Sequence, residues 1–319
     1  MTAYLVISNL RIHNANAASS LYTIGFPAMT AWLGSMHAVQ RKMQRHSMSE
    51  VHFTRLAVSC KECDVQVYRG KGDYVNSVIG TANPLKKKGG GYERPPFIEE
   101  PRCHLNVSLL IETQGVTPDN EKAFLTSVCE VMPGMKIAGG DILSERFEDD
   151  AKKYTRQGAH LQLVYFTQSG EKNHASWQGI IRALMPGFVL VERSHFLQSL
   201  PGRDSMDKLL NGLAVQYDTE RDDEGKVTEW KARKLHPAGW IVPIAVGFQA
   251  ITPAMKAPNQ RDESCEHHFA EPVVTLGEFK MPIHFHSLDE MMWAYEVDQE
   301  KGLYLCKNRY EELQQGMNC

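Results

Sequence analysis

Asn, Ser and Gly crowd one short stretch, Arg11-Ile-His-Asn-Ala-Asn-Ala-Ala-Ser-Ser20 followed by Thr23-Ile-Gly25-Phe26-Pro27. Amides, hydroxyls and open backbone N–H groups ahead of a helix start are what a phosphate backbone or an unstacked base needs. Asn14, Asn16, Ser19 and Ser20 are therefore candidate nucleic-acid contacts, with His37, Gln40 and Arg41 added from the helix that follows. A second cluster, Lys86-Lys87-Lys88-Gly-Gly-Gly91-Tyr92, is polycationic and flanked by Arg69, Lys71, Arg94 and Arg102. A basic finger of this kind can lie along phosphates, with Tyr92 or Phe97 against a base; otherwise it is a solvated loop. Gly139-Gly140 removes side chains from a strand, which signals a β-bulge or the close approach of another backbone. Nucleic acid could be that backbone, with Arg146 just beyond it pairing a phosphate through both guanidinium edges.

Catalytic and metal constellations are weaker. His13 and His37 are the candidates for general acid–base cleavage of RNA, because imidazole exchanges protons near neutral pH. No Ser-His-Asp order, phosphate-cradling loop or paired carboxylate accompanies them. Cys60-Lys-Glu-Cys63 has CxxC spacing, and Cys103-His104 or Cys265 with His267-His268 could supply the other half of a zinc site. No second CxxC or HxxxH completes it, and residues three apart in a strand point to opposite faces. No metal and no cofactor are expected. Leu5-Val-Ile-Ser-Asn-Leu10 is similar to the first strand signature of an RNA-recognition motif, but the second signature is missing.

The elements that must position these groups alternate between periods of two and 3.6. Residues 4–13 read as a strand with Leu5, Ile7 and Ile12 apolar. Residues 27–45 read as a helix with Pro27 in its first turn and a stripe of Met29, Trp32, Leu33, Met36, Val39 and Met43. Strands are expected in 51–69 and 103–113, a helix over 119–132 stopped by Pro133-Gly134, and a glycine-interrupted strand over 136–143. Residues 70–102, rich in Gly, Pro and Lys, read as a long insertion or hairpin. The order β-α-β-(insertion)-β-α-β is that of a ferredoxin-like split unit. Farther on, strands are expected at 161–166 and 188–191 around a helix at 174–184. A charged linker is expected over 218–226, an edge strand over 240–251 because of Pro243, and a short capped helix over 287–295. The fold class is α+β, with residues 1–150 as an RNA-binding domain and 151–319 as an α+β part packed on it and on a partner.

The 319 residues, 42% hydrophobic and 23% charged, suffice for a buried core in one or two domains. No apolar run reaches the ~18 residues of a membrane span. The chain starts directly with a strand pattern, so no signal peptide is expected. Seven Cys without a secretory context suggest reduced thiols in a cytoplasm. The net charge of −3 argues against a general nucleic-acid coat. Its distribution is uneven: residues 1–98 hold 12 Lys/Arg against 5 Asp/Glu, and the rest 23 against 33. One part can attract a polyanion while the other faces water or a basic protein.

Taken in order, the motifs resemble a known family over nearly the whole chain. They are Asn14-Ala-Asn16-Ala with Ser19-Ser20, Gly25-Phe26-Pro27, His37-Ala38-Val39-Gln40-Arg41, His104-Leu-Asn-Val-Ser-Leu-Leu110 and Ile137-Ala-Gly-Gly140 with Ile142-Leu143. Glu145-Arg146-Phe147, Leu184-Met-Pro-Gly-Phe188, Gly239-Trp-Ile-Val-Pro243 and Lys301-Gly-Leu-Tyr304 follow. The chain is similar to the Cas-five-type subunit of the type I-F CRISPR surveillance (Csy, or Cascade) complex. That resemblance implies a RAMP-type, RNA-recognition-like domain with residues 70–102 as an inserted thumb. It implies a subunit without an active site that holds the 5′ handle of CRISPR RNA and pairs with the large subunit. The pair caps a filament of backbone subunits and meets target DNA through the assembled complex, in antiviral defence and away from membranes. Two rivals stay open: a metal-independent CRISPR endoribonuclease of related fold using His13 or His37, and a protein-only scaffold.

Overall fold

The computed structural model describes residues 2–45, 48–80, 85–93, 100–143, 147–148, 158–166, 174–234, 239–260 and 262–317. In chain order the first elements are β1 (Thr2–Asn16), α1 (Met29–Arg45), β2 (His52–Val65), β3 (Val67–Tyr68), β4 (Ser77–Val78), β5 (Lys86–Lys88) and β6 (Gly91–Glu93). Next come β7 (Arg102–Gln114), α2 (Glu121–Val131), β8 (Lys136–Ile137), β9 (Gly140–Ile142), β10 (Phe147–Glu148), β11 (Ala159–Phe166), α3 (His174–Leu184) and β12 (Phe188–Glu192). The last are α4 (Ser194–Ser199), α5 (Ser205–Leu213), β13 (Val215–Arg221), β14 (Val227–Lys234), β15 (Trp240–Ala250), β16 (Ala270–Lys280), β17 (Trp293–Asp298), β18 (Leu303–Asn308) and α6 (Tyr310–Met317).

One sheet organises the molecule. Its first part runs β11-β1-β7-β2, every neighbouring pair antiparallel. The six-residue stripe of α1 is buried as its spacing predicts, and Trp32 donates its indole N–H to the Pro27 carbonyl. Together α1 and α2 cover one face, burying Leu5, Ile7, Leu10 and Ile12 of β1. The opposite face is covered only in part: Tyr4 and Val6 pack with Ile180 and Leu184 of α3 and with Phe285, Met291 and Tyr310. Each such aliphatic side chain contributes ~1.5–3 kcal/mol on burial.

The change from two-sided to one-sided burial has a local cause. Asn9 has φ +60°, and the pairing of β1 with β7 shifts register between Ile7 and Leu10. Past this bulge Leu10, Ile12 and Ala15 stay buried, whereas Arg11, His13, Asn14 and Asn16 are exposed. A bulge re-aims side chains, and here it turns a core strand into one with an open polar face.

The second part closes a circuit. The far edge of β2 pairs with β12 at Ser59–Cys60 and with β17 at Leu56, while β12-β16-β15-β18-β17 run on from one to the other. Trp293 of β17, fully buried, donates to the Leu190 carbonyl across this ring.

Several sequence expectations change. The glycine-interrupted stretch 136–143 is the two-strand hairpin β8-β9, because Ala138 (φ +50°) and Gly139 (φ +75°) turn the chain back. β9 pairs with β1 only at Ile12 and His13, and β11, from beyond the expected unit, pairs with Thr2–Ser8 of β1. Residues 218–226 are not a linker but the turn region of the β13-β14 hairpin. Residues 287–295 are a turn leading into β17 rather than a helix. Asn308 donates to the carbonyls of Glu290 and Met292, taking acceptors a helix would need. Pro243 is tolerated because β15 pairs with β18 only from Gly247 to Gln249, leaving its edge at Pro243 open there.

Candidate nucleic-acid interface

The open end of β1 meets the ends of β7 and β2. Here the His13 and His104 rings stack at 4.1 Å between centroids, with 15° between planes. Asn14, held at φ +56°, donates its backbone N–H to His104 Nδ1 at 3.2 Å. The Gln66 side-chain amide spans the two residues, 2.8 Å from Asn14 Oδ1 and 3.1 Å from His104 Nε2. Arg102 reaches the Asn14 carbonyl at 3.4 Å and pairs with Glu100. A shallow cavity of about 180 Å³ opens beside the stack, with Arg11, Glu62, Asp64 and Asn106 in its wall.

Two turns close on the same end. Asn16 folds its side chain around Ala18, accepting from the Ala18 N–H at 3.0 Å. Ser19 and Ser20 both bond the Thr23 hydroxyl, at 2.8 and 2.7 Å. The loop is tied down where Gly25 donates to the Ala17 carbonyl and Ala17 to that of Pro101. From the other side Asn16 donates to the Ala138 carbonyl in the β8-β9 turn. A side chain at Gly140 would lie 2.7 Å from the Ala15 nitrogen and 2.8 Å from the His13 carbonyl. The backbone that closes on Gly140 is therefore the chain's own. A side chain at Gly139 would begin 3.7 Å from Arg102 Nη1.

The 70–102 insertion roots here as well. Gln66 donates its backbone N–H to the Arg102 carbonyl, and Gly80 bridges Pro101. Its arm carries the exposed hairpins β3-β4 and β5-β6. Arg69 holds the Asp73 carbonyl at 3.0 Å, and Lys88 pairs with Glu93 at 2.8 Å while Lys86 and Lys87 are exposed. Arg94, Phe97 and Arg146 lie outside the described residues.

The α1 candidates belong elsewhere. Gln40 accepts from the Phe53 N–H at 2.7 Å, pinning α1 to the start of β2. Phe53 faces Thr113 in register, whereas Ala15 faces Cys103. At ~3.3 Å per residue the two ends are roughly 30 Å apart along β7. His37, within a turn of Gln40, packs on Tyr295 at 4.9 Å, and burial followed by the nearby Arg41 charge lowers its pKa. Arg41 itself is exposed.

Comparison of the sequence with known proteins identifies a family. The model of the family described as CRISPR-associated protein (Cas_Csy2) matches residues 5–306. The chain is 30% identical to CRISPR-associated protein Csy2 of Pseudomonas aeruginosa (strain UCBPP-PA14) over 323 aligned residues, covering 95% of this chain and 94% of that one. The chain belongs to the Csy2 family. The resemblance carried by its motifs holds, and membership implies a subunit of the CRISPR type I-F Csy complex.

Within this Csy2 frame the polar end of β1 is built from more than the sequence suggested. His104 and Gln66 join Asn14 and Arg102 only through a cross-strand register with two bulges in β1–β7 and two in β2–β7. His13 and His37 are not brought together, since their ring partners are His104 and Tyr295. Cys63 and Cys103 are free thiols in hydrogen-bond contact, and the pKa of the buried Cys60 thiol is pushed up to about 12 by desolvation. Among the described residues no three His, Cys, Asp or Glu are grouped to hold a metal, and no helix is long and apolar enough to cross a membrane.

Proposed function

We propose that this protein is a non-catalytic subunit of the type I-F CRISPR surveillance complex, binding the 5′ handle of CRISPR RNA at the polar end of β1. The carrying observation is convergence: Asn14, the Asn16–Thr23 loop, the β8-β9 turn, Arg102 and the root of the basic insertion meet at one end of the sheet. The order β11-β1-β7-β2, with a helix after the first and third strands, supports a ferredoxin-like, RAMP-type domain. Residues 70–102 are its thumb, lying over RNA with Lys86, Lys87, Lys88 and Arg69 along phosphates. In this reading the protein works in the cytoplasm, pairs with the large subunit, caps the filament of backbone subunits and reaches target DNA only through the assembly.

The test is to co-express the chain with the other subunits and a CRISPR array, purify through this chain and sequence the bound RNA. Uniform RNAs beginning with a repeat-derived 5′ segment are expected, lost in an Asn14→Gly, Asn16→Ala, Arg102→Ala variant that still folds. A protein assembly with random RNA would make the chain a scaffold. Repeat cleavage that disappears on replacing His13 would make it an endoribonuclease, a reading the His13–His104 stack on an open face keeps in play.

A further inference from the structure

The loop after β1 also walls a second cavity, of about 280 Å³, lined by Gly25, Phe26, Lys61, Phe188, Trp240 and Phe279 among others. Its aromatic rings brace one another. Phe188 meets Trp240 edge-on at 5.4 Å, Phe26 meets Phe279 edge-on at 5.4 Å, and Trp240 lies tilted on Phe279 at 5.0 Å. Phe26 and Phe279 are buried, yet the Trp240 indole is 55% exposed although it is held by both neighbours. Gly25 (φ +153°) has no atom within 4 Å of where a side chain would begin, so its backbone is open to close approach. Lys61 is half-buried, and desolvation lowers its pKa against a smaller pull from Glu62. Among the described residues no hydrogen-bond acceptor holds its ammonium group, and no carboxylate lines the cavity.

We propose that this cavity receives one unstacked nucleobase of the bound RNA, stacked on Trp240 and hydrogen-bonded through its edge by Lys61. The inference rests on the RNA-binding reading above and adds to it a base-accepting site. The volume falls just below the ~300–1,000 Å³ typical of small-ligand pockets, the scale of one heterocycle rather than a folded segment. An apolar side chain from a protein would cover Lys61 without giving it an acceptor, which is unfavourable. A phosphate would find an aromatic floor and one cation. A base offers both a π-face and carbonyl or ring-nitrogen acceptors. The hydroxyls of Ser19 and Ser20, on the same loop as Gly25, are near enough in sequence to take the adjoining sugar-phosphate.

The experiment uses the full chain and single-stranded RNAs of the repeat-derived 5′ segment, with an abasic nucleotide at each position in turn. Affinity is measured against salt for the wild type, Trp240→Ala, Trp240→Phe and Lys61→Met. Trp240→Ala should weaken binding about tenfold, within what base–aromatic stacking supplies, and leave the salt slope unchanged. One abasic position should reproduce the loss in the wild type and add nothing in Trp240→Ala. Trp240→Phe should keep most of the affinity, and with Lys61→Met it preserves the test if Trp240→Ala fails to fold. Wild-type affinity in Trp240→Ala, or indifference to every abasic position, would overturn the proposal. So would normal RNA binding with loss of a co-purifying subunit, which would give the cavity to a protein side chain. A wild type with no RNA preference would instead overturn the RNA-binding reading itself.

Discussion

Two polar regions of this molecule use similar side chains to opposite ends. Around Asn308 the polar groups are buried, and the Asn308 amide itself is fully bonded. Asn308 accepts from the N–H groups of Glu192 and Tyr310 and donates to the carbonyls of Glu290 and Met292, while Glu192 holds Lys307 at 2.9 Å. Around Asn14 the groups are exposed and its contacts are fewer: 3.2 Å to His104, 2.8 Å to Gln66 and 3.4 Å to Arg102. A buried network loses stability with any member, because the partners left behind cannot reach water. An exposed one can exchange its internal bonds for a ligand's at little expense. Residue type alone does not separate fold-holding from function; burial and saturation do.

The sharpest test of that contrast pairs one substitution from each region. Asn308→Ala should lower unfolding free energy by about 3–4 kcal/mol, since four buried backbone groups lose their partner. Asn14→Gly keeps the positive φ and should change stability by less than about 1 kcal/mol. It should weaken RNA binding several-fold, read by urea titration and filter binding side by side. If Asn14→Gly proved as destabilising as Asn308→Ala, the open cluster would be structural.

Gly140 lies between the two cases, since it shapes the open site from a buried position. Gly140→Ala sets a Cβ against the backbone of Ala15 and His13, and overpacking of this kind costs about 2 kcal/mol. RNA affinity should fall with it, and a variant that melts lower yet binds normally would uncouple the β8-β9 turn from the site. The insertion arm is the reverse. Replacing Lys86, Lys87 and Lys88 with Ala should leave the melting temperature unchanged, because the hairpin is exposed. It should weaken RNA binding about tenfold and flatten the salt slope by about 2. An unaltered slope would remove the arm from the RNA path.

The sequence was a good guide where a signal is local. The α1 stripe, the insertion and the alternation of strands and helices need only neighbours along the chain, and each has its counterpart in the structure. Local patterns mislead where long-range pairing decides. Residues 136–143 look like one strand until Ala138 and Gly139 adopt positive φ; β9 then reaches β1 only at Ile12 and His13, and β11 lines Thr2–Ser8. Residues 287–295 carry helix-start residues, but Asn308, from a strand later in the chain, captures their carbonyls. Gln40 and Arg41 share a helix with polar neighbours and looked like one surface with Asn14, yet Gln40 caps the far end of the sheet. His104 and Gln66 were invisible as partners of Asn14 because four register shifts decide what faces what.

His37 gives the smallest effect and the last way to separate the two kinds of polar residue. Its pKa is lowered in the folded protein, first by burial and then by Arg41. The unfolded chain therefore binds the proton more readily, and stability falls as pH drops below the ordinary value near 6.5 toward the lower folded value. His37→Asn should remove that slope, as read from urea midpoints taken from pH 7.5 to 5. RNA affinity should match the wild type at each pH, since a ring packed on Tyr295 lies on the same helix as Gln40, away from the Asn14 end of the sheet. Loss of RNA binding in His37→Asn at unchanged stability would return α1 to the interface and erase the distinction drawn from Gln40.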